Sequence, residues 1–418
     1  MRTFLLALLA SAAAHAGDEQ KVALEATAQV SFDRVQAPVA IDFAATVKCL
    51  QAQAMLLAVA TPEESASIVF RKAFCTLAGA ELTGDRAALA SASEEFGNAI
   101  ADRQSPAAKQ RIALPVPSTW RILDAVAHLK TGAPADSLEQ PLITAVNTAD
   151  CQSNAGALNG GGTAEFCRSV HQLGSAWLGW IASNRGDLPA AARNFADSGA
   201  PGWNDWIDGR RAFQAIDYPA AASSYGRAVE SWRNAHLALV IERLRPQPDF
   251  PASLTEYGAA KLAAGDASGA IRTLDEVVKA DAANARALYL RAVAKDRVGQ
   301  GPSALEDYNL ASRAAFARTG DAAGEEAHLY RGILLYRRKE FQRAEEEFST
   351  AVNAGGAEPW RADARSWRYL AAVAGGACGT SRDLLQRSLA NASPYFPKQE
   401  AQTVSSACPV TSASVAVH

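Results

Sequence analysis

An interval of 34 residues repeats in the second half of the chain and constrains its fold more than any other feature. In each copy a small residue stands twelve positions before an alanine, and a large apolar residue follows four positions after that alanine. The three sets are Gly258, Ala270 and Leu274; Ala292, Ala304 and Tyr308; and, after a six-residue insertion at 319–324, Gly332, Ala344 and Phe348. Small residues at this spacing let two antiparallel helices approach closely. The pattern therefore predicts helical hairpins that each bury an apolar face against the next one.

The pattern resembles the tetratricopeptide repeat (TPR) family, which sets Gly or Ala, then Ala, an aromatic residue and Ala at fixed positions of its unit. The resemblance covers 251–284, 285–318 and 325–358, with looser units at 172–201 and 202–235. It implies an all-α fold, a right-handed superhelical solenoid of antiparallel helical hairpins. It also implies a protein or peptide partner that binds in the concave groove.

In this family the first helix of each unit lines the groove, so the resemblance assigns groove residues by their position in the unit. They are Trp203, Trp206, Arg210, Phe213, Arg286, Tyr289, Arg297, Tyr336 and Arg337. Aromatic and arginine side chains are enriched at interface hot spots, so we expect a bare aromatic strip that a partner covers. The alternative is that several of these side chains pack between adjacent hairpins. The carboxylate-clamp subset of the family is not matched, because Tyr289 and Val293 stand where it has Lys and Asn.

The first sixteen residues have the form of a secretory leader. Arg2 precedes an apolar stretch from Phe4 to Ala14, and small residues at 14 and 16 form a cleavage site between Ala16 and Gly17. A membrane anchor is the alternative, but the polar residues from Asp18 onward arrive too early for a span of about 20 apolar residues. The leader predicts a periplasmic or secreted protein without an integral membrane segment.

Six cysteines, an even number, fit an oxidising compartment. Pairing of sequence neighbours predicts Cys49 with Cys75, Cys151 with Cys167 and Cys378 with Cys408, each pair closing a local hairpin or loop. Fifteen connectivities are formally open, and six reduced thiols are the remaining alternative.

Helix start signals, helix breakers and changes in composition divide the chain into five parts. They are the leader at 1–16, an N-terminal helical region with degenerate repeats at 17–150, TPR-like hairpins at 151–245, three TPR-like repeats at 251–358 and a C-terminal helical cap and tail at 359–418. Residues 17–40 are polar and predict an extended or poorly ordered lead-in. Helical periodicity is expected from Ile41 to Ala60, and again from a start signal at 61–64 to about Thr83. The proline-rich run 245–251 predicts a break between two arrays.

Catalytic and cofactor motifs are missing from the sequence. The near-balanced charge, net −3, gives no basic footprint for nucleic acid. Gly156 to Thr163 has the glycine spacing of a phosphate loop but carries Gly162 where lysine is required. The histidines are scattered without a metal-binding spacing. We therefore predict no cofactor, no metal and no enzymatic activity.

The expected function is a non-enzymatic exported scaffold for a peptide, protein or envelope component. The alternative is a structural subunit of an envelope machine for secretion or polysaccharide export, and an enzyme on a helical frame is less favoured.

Overall fold

A computed structural model of the chain describes residues 2–36, 42–106, 115–152, 163–235, 239–319, 324–354 and 360–408. The glycine-rich segment 156–162 considered above lies outside these ranges. Apart from one short 3₁₀ turn at Ala149–Gln152, the regular elements within them are α-helices. The helices are α1 Arg2–Gln36, α2 Phe43–Leu57, α3 Pro62–Thr83, α4 Arg86–Gln104, α5 Ser118–Lys130, α6 Ala135–Val146, α7 Ala164–Asn184, α8 Leu188–Ser198, α9 Trp203–Gln214, α10 Tyr218–Asn234, α11 Val240–Leu244, α12 Phe250–Ala263, α13 Ala267–Ala280, α14 Ala285–Arg297, α15 Gly301–Thr319, α16 Glu325–Arg337, α17 Phe341–Asn353, α18 Trp360–Ala374, α19 Thr380–Ser388 and α20 Lys398–Ser406. The predicted all-α class is confirmed.

The chain forms two compact units. The first unit comprises 1–207 and 230–247, and the second comprises 208–229 and 248–418, so both helices of the α9–α10 hairpin contribute to both units. The predicted break at 245–251 is present, since α11 ends at Leu244 and α12 begins at Phe250. The five-part division of the chain stays a prediction.

Helix α1 corrects one expectation from the sequence. Residues 17–36, predicted to be extended or poorly ordered, are helical. Ala28, Phe32 and Val35 recur at helical spacing and are almost completely buried. Phe32 makes edge-to-face ring contacts with Phe74 and Phe166 at centroid distances of 5.8 and 6.3 Å. An apolar stripe of only a few residues therefore holds this polar segment as a helix.

Helices α2 and α3 form the hairpin that the sequence predicts around the first cysteine pair. Thr61 precedes α3, and its backbone N–H donates to the Glu64 side chain at 2.8 Å, which is one half of a capping box. Cys49 on α2 and Cys75 on α3 are joined by a disulfide across the hairpin. Capping and cross-link together fix the register of the two helices.

The three best repeats fold as consecutive hairpins in the second unit. They are α12 with α13, α14 with α15 and α16 with α17. Side chains of Asp249, Asp266 and Asn284 cap α12, α13 and α14 by accepting backbone N–H groups in the first turn. Ala270, Ala304 and Ala344, the alanines that define the period, have no exposed surface. The predicted hairpin register is confirmed.

Helices α18, α19 and α20 complete the second unit. A disulfide joins Cys378, before α19, to Cys408, after α20, and Cys151 and Cys167 form the third disulfide in the first unit. The three pairs are those expected from sequence neighbours. Residues 389–397 connect α19 to α20. This connection returns to the repeats and builds the site described next.

Candidate functional site

Two cavities of the second unit lie against the first helices of its hairpins. The larger, of about 630 Å³, is lined by Ala263, Val293, Asp296, Arg297, Tyr308, Arg337, Trp367 and residues 394–400. The smaller, of about 170 Å³, is lined by Arg210, Phe213, Gln214, Tyr225, Glu256, Ala259 and Arg286. We call them the C-terminal cavity and the arginine pocket, and the surface that carries both the first-helix face. Five of the nine residues assigned from the sequence line them: Arg210, Phe213, Arg286, Arg297 and Arg337.

Arg337, in the last turn of α16, holds the carboxylate of Glu400 in the C-terminal cavity. Its Nη1 donates to both carboxylate oxygens at 2.8 and 2.7 Å. The Tyr336 hydroxyl donates to the same carboxylate at 2.9 Å. The Nε atom of Arg337 lies 2.9 Å from a carboxylate oxygen of Asp296 on α14. One guanidinium thus joins two neighbouring repeats to the first turn of α20.

Arg297, at the equivalent position of the preceding repeat, binds main-chain oxygens. Its guanidinium donates to the carbonyl of Leu262 at 2.7 Å and to the carbonyl of Pro394. Beside it, Phe396 is 2% exposed and meets Trp367 edge to face at 5.2 Å. The backbone N–H and hydroxyl of Ser393 both donate to Asp363. Residues 393–400 are therefore held across the first-helix face by a carbonyl, an aromatic ring and a carboxylate.

Burial and charge act against each other on the ionisable groups of the C-terminal cavity. Burial raises the pKa of Asp296, and Arg337 opposes that rise. Burial would lower the pKa of Arg337, but Tyr308, Asp296 and Glu400 raise it above its ordinary value. Arg337 therefore stays charged, and its bonds to Glu400 are charge-assisted, which makes them roughly twice as strong as neutral ones.

The arginine pocket combines two guanidinium groups with an aromatic wall and one buried acid. The Tyr225 hydroxyl donates to Glu256 at 3.4 Å, a long hydrogen bond. Burial raises the pKa of Glu256, and Arg286 and Arg210 oppose the rise. The lining of the pocket thus brings two arginines and one acid together beside the rings of Phe213 and Tyr225.

A single contact recurs among the hairpins of both units. Four of them carry glycine on the first helix and a large side chain sixteen residues later on the second. A Cβ added to the glycine would lie within 3 Å of that side chain in every case: Gly179 with Phe195, Gly209 with Tyr225, Gly258 with Leu274 and Gly332 with Phe348. Close approach at this spacing is the packing that the TPR consensus specifies. The four hairpins therefore have the packing that the resemblance to the TPR family predicts.

Comparisons with known proteins return TPR structures at low similarity. No family model and no curated protein matches the chain. A TPR protein from Parabacteroides merdae is 12% identical, with 77% of this chain and 99% of that one covered and a TM-score of 0.36. Yeast Tom70 is 12% identical, with 87% and 85% covered and a TM-score of 0.33. MamA is 16% identical, with 49% and 92% covered and a TM-score of 0.28. The fold assignment therefore depends on the internal packing of the helical hairpins.

The aromatic residues assigned to the groove require a correction. Trp203, Trp206, Tyr289 and Tyr336 are only 0–8% exposed, so the expected bare strip is absent at these four residues. Trp203 stacks on Phe195 at 4.7 Å, and Tyr289 stacks on Tyr330 at 4.5 Å. These rings pack between adjacent hairpins, where burial of their large apolar surface stabilises the fold. The arginines assigned to the groove, by contrast, line the two cavities.

A serine, a histidine and an aspartate also meet in the first unit, but as a helix cap. The hydroxyl of Ser118 lies 2.6 Å from His171 Nε2 and donates to Asp150, which also accepts the Ser118 backbone N–H. Ser118 is 2% exposed, so this hydroxyl is not accessible to a substrate. The sulfurs of Cys151 and Cys167 lie within 4.8 Å of side-chain atoms of Asp150 and His171 that could bind a metal, but the two sulfurs are joined in a disulfide and offer no thiolate.

Sequence reasoning missed Glu400 and Phe396, which line the C-terminal cavity, and Asp363, which holds Ser393 beside it. They lie outside the repeats, where no period assigns a position. Phe396, which lies between two prolines, was the available signal in the sequence. A large apolar ring in a polar tail indicates a segment that packs against the rest of the fold.

Proposed function

We propose that the protein is a binding scaffold whose first-helix face holds a polypeptide segment. One observation carries this proposal: residues 393–400 of the chain already lie on that face. Arg297, Tyr336 and Arg337, three of the nine residues assigned to ligand binding, make the polar contacts. The surface therefore engages a polypeptide through the side chains that the repeat pattern selects.

The chemistry of these contacts suits a peptide ligand. A carbonyl accepting from Arg297 is available in every polypeptide, so that contact supplies affinity without demanding a sequence. The bonds from Arg337 and Tyr336 require a carboxylate and supply selectivity. The arginine pocket, lined by Arg210 and Arg286, extends the same chemistry to the hairpins before the third repeat. A ligand that reaches both cavities gains contacts from successive hairpins.

Export is part of the proposal. Three disulfides suit an oxidising compartment. Among the residues that the structure describes, no helix has the length and apolarity to cross a membrane. Mass spectrometry of protein recovered from the periplasm of an expressing bacterium should give an N-terminus at Gly17. Recovery of the intact leader, with the protein left in the cytoplasm, would contradict export.

Selection from a random peptide library displayed on phage tests ligand binding directly. The full chain, immobilised under non-reducing conditions, should enrich acidic peptides that contain aromatic residues, with binding measured by fluorescence anisotropy. Replacing Arg286→Gln should weaken these peptides by about tenfold, the value of one charge-assisted hydrogen bond. Arg313→Gln, an exposed arginine on α15, is the matched control and should leave affinity unchanged. Equal losses in both variants, or no enrichment, would refute the proposed function.

A further inference from the structure

We infer that residues 393–400 are a built-in occupant of the binding surface, which a partner displaces with a segment carrying an aromatic residue four positions before a carboxylate. Phe396 and Glu400 are the two residues that such a partner replaces. The inference rests on the proposed function and adds the kind of partner and the competition that it meets. It concerns an acidic, aromatic-containing polypeptide segment.

Two anchors define the signature of the ligand. Phe396 is 2% exposed and its ring is nearly perpendicular to that of Trp367, with the centroids 5.2 Å apart. Both carboxylate oxygens of Glu400 accept hydrogen bonds from Arg337, and one of them also accepts from the Tyr336 hydroxyl. The guanidinium of Arg337 also lies over the Trp367 ring at 5.6 Å, so both anchors converge on a single cation and aromatic pair. A partner with only one of the two residues would satisfy half of this site.

The residues between the anchors contribute little side-chain recognition. Lys398 and Gln399 are exposed. The adjoining hydrogen bond, from Arg297 to the carbonyl of Pro394, involves only the main chain of the segment and does not depend on its side chains. A segment of different sequence is therefore able to make the same contacts, provided that it keeps the ring and the carboxylate at this spacing.

The occupant covers part of the surface and remains open to exchange. A cavity of about 630 Å³ persists beside residues 394–400, and the Glu400 side chain is 34% exposed. An incoming carboxylate reaches Arg337 from solvent through this opening. Asp363 at Ser393 and the Cys378–Cys408 disulfide hold the segment from both ends. Such a tether gives the occupant an effective concentration of order mM, so a partner must bind well to displace it.

The test uses a fluorescein-labelled synthetic peptide of residues 391–407 as the probe. The full chain should bind it weakly, because its own segment competes. Glu400→Gln in the chain removes the charged anchor while keeping the side-chain shape, so the probe should bind this variant about tenfold more tightly. Gln402→Ala, an exposed residue on the same helix, is the matched control and should bind as weakly as the unaltered chain. Probe peptides with Phe396→Ala or Glu400→Gln should lose about tenfold in affinity.

Hydrogen exchange of residues 391–400 supplies a second readout. Exchange there should accelerate in Glu400→Gln, and in Ser393→Ala as an independent release variant, while the hairpins stay protected. Equal probe affinity for the unaltered chain and both release variants would overturn the inference, as would tight binding of the two altered probes. Library peptides that bind without accelerating exchange at 391–400 would leave the proposed function standing and overturn the displacement alone. A library without ligands, together with probe binding to Glu400→Gln, would refute the proposed function and displacement by a partner, and would leave residues 393–400 as the occupant of the surface.

Discussion

Replacing Gly332→Ala tests the hairpin packing most directly. The added Cβ would lie 2.5, 2.7 and 2.9 Å from three ring atoms of Phe348. That ring is completely buried and stacks against Trp367 at 5.9 Å, so it has little room to move. Overpacking of this kind costs about 1–3 kcal/mol. Alanine favours the helix by about 1 kcal/mol relative to glycine, so the net loss in unfolding free energy is up to about 2 kcal/mol.

Gly97→Ala is the matched control for this substitution. Gly97 also lies inside a helix, α4, but no described atom stands within 4 Å of an added Cβ. This variant should gain about 0.5–1 kcal/mol. The two variants should therefore differ by about 1–3 kcal/mol in unfolding free energy, measured by circular dichroism during urea denaturation.

A rescue experiment separates the ring contact from other causes of instability. Phe348→Leu in the Gly332→Ala background removes the ring atoms that the methyl group meets. The double variant should lose less stability than the sum of the two single variants, because the clash is shared between them. The hairpin contact would be wrong if Gly332→Ala gained as much stability as Gly97→Ala, or if the two substitutions were additive.

Three further predictions follow from burial, charge and cross-linking. Replacing Cys378 and Cys408 together by Ser should cost about 3–4 kcal/mol, because the disulfide closes a separation of 30 residues; an unchanged thermal midpoint, or a crossed linkage in non-reducing peptide mapping, would contradict it. Burial raises the pKa of Glu256 in the folded state, so the folded chain binds this proton more strongly than the unfolded chain and loses stability as pH rises above the ordinary glutamate value. Glu256→Gln should therefore be more stable than the unaltered chain at pH 8, with an advantage that vanishes towards pH 4, whereas a pH-independent difference would count against the burial argument. Trp206→Ala should cost about 3–5 kcal/mol in unfolding free energy, since the side chain is 8% exposed and packs on Trp232 at 5.4 Å; a fully stable variant that only binds ligand less well would place Trp206 in the groove after all.

The groove residues show where sequence reasoning succeeded and where it stopped. The repeat register places Arg297 and Arg337 on the first-helix face, and both line the C-terminal cavity. The same register assigns Tyr289 to another groove position, yet its ring is buried against Tyr330. The position in the unit fixes the direction in which a side chain points. Whether that side chain reaches a ligand depends on how far the neighbouring hairpin covers it. The repeat pattern does not predict how far one hairpin covers the side chains of the next.

Helix α1 shows the same limit in another form. Its residues 17–36 are mostly polar, so composition favoured an extended segment. Phe32 is nevertheless completely buried, because rings from α3 and α7 lie around it. Tertiary packing overrode a weak local signal, as it often does for helices with a narrow apolar stripe.

The sequence by itself determined the hairpins and the cysteine pairing, because both depend on groups that are near each other along the chain. The contact between Gly332 and Phe348 spans sixteen residues, and the disulfides span 16 to 30. Only the tertiary structure decided what occupies the first-helix face. The bond from Arg337 to Glu400 spans 63 residues, and that from Arg297 to Pro394 spans 97. No repeat period links such partners, since their meeting depends on how α18, α19 and α20 return the chain to the repeats.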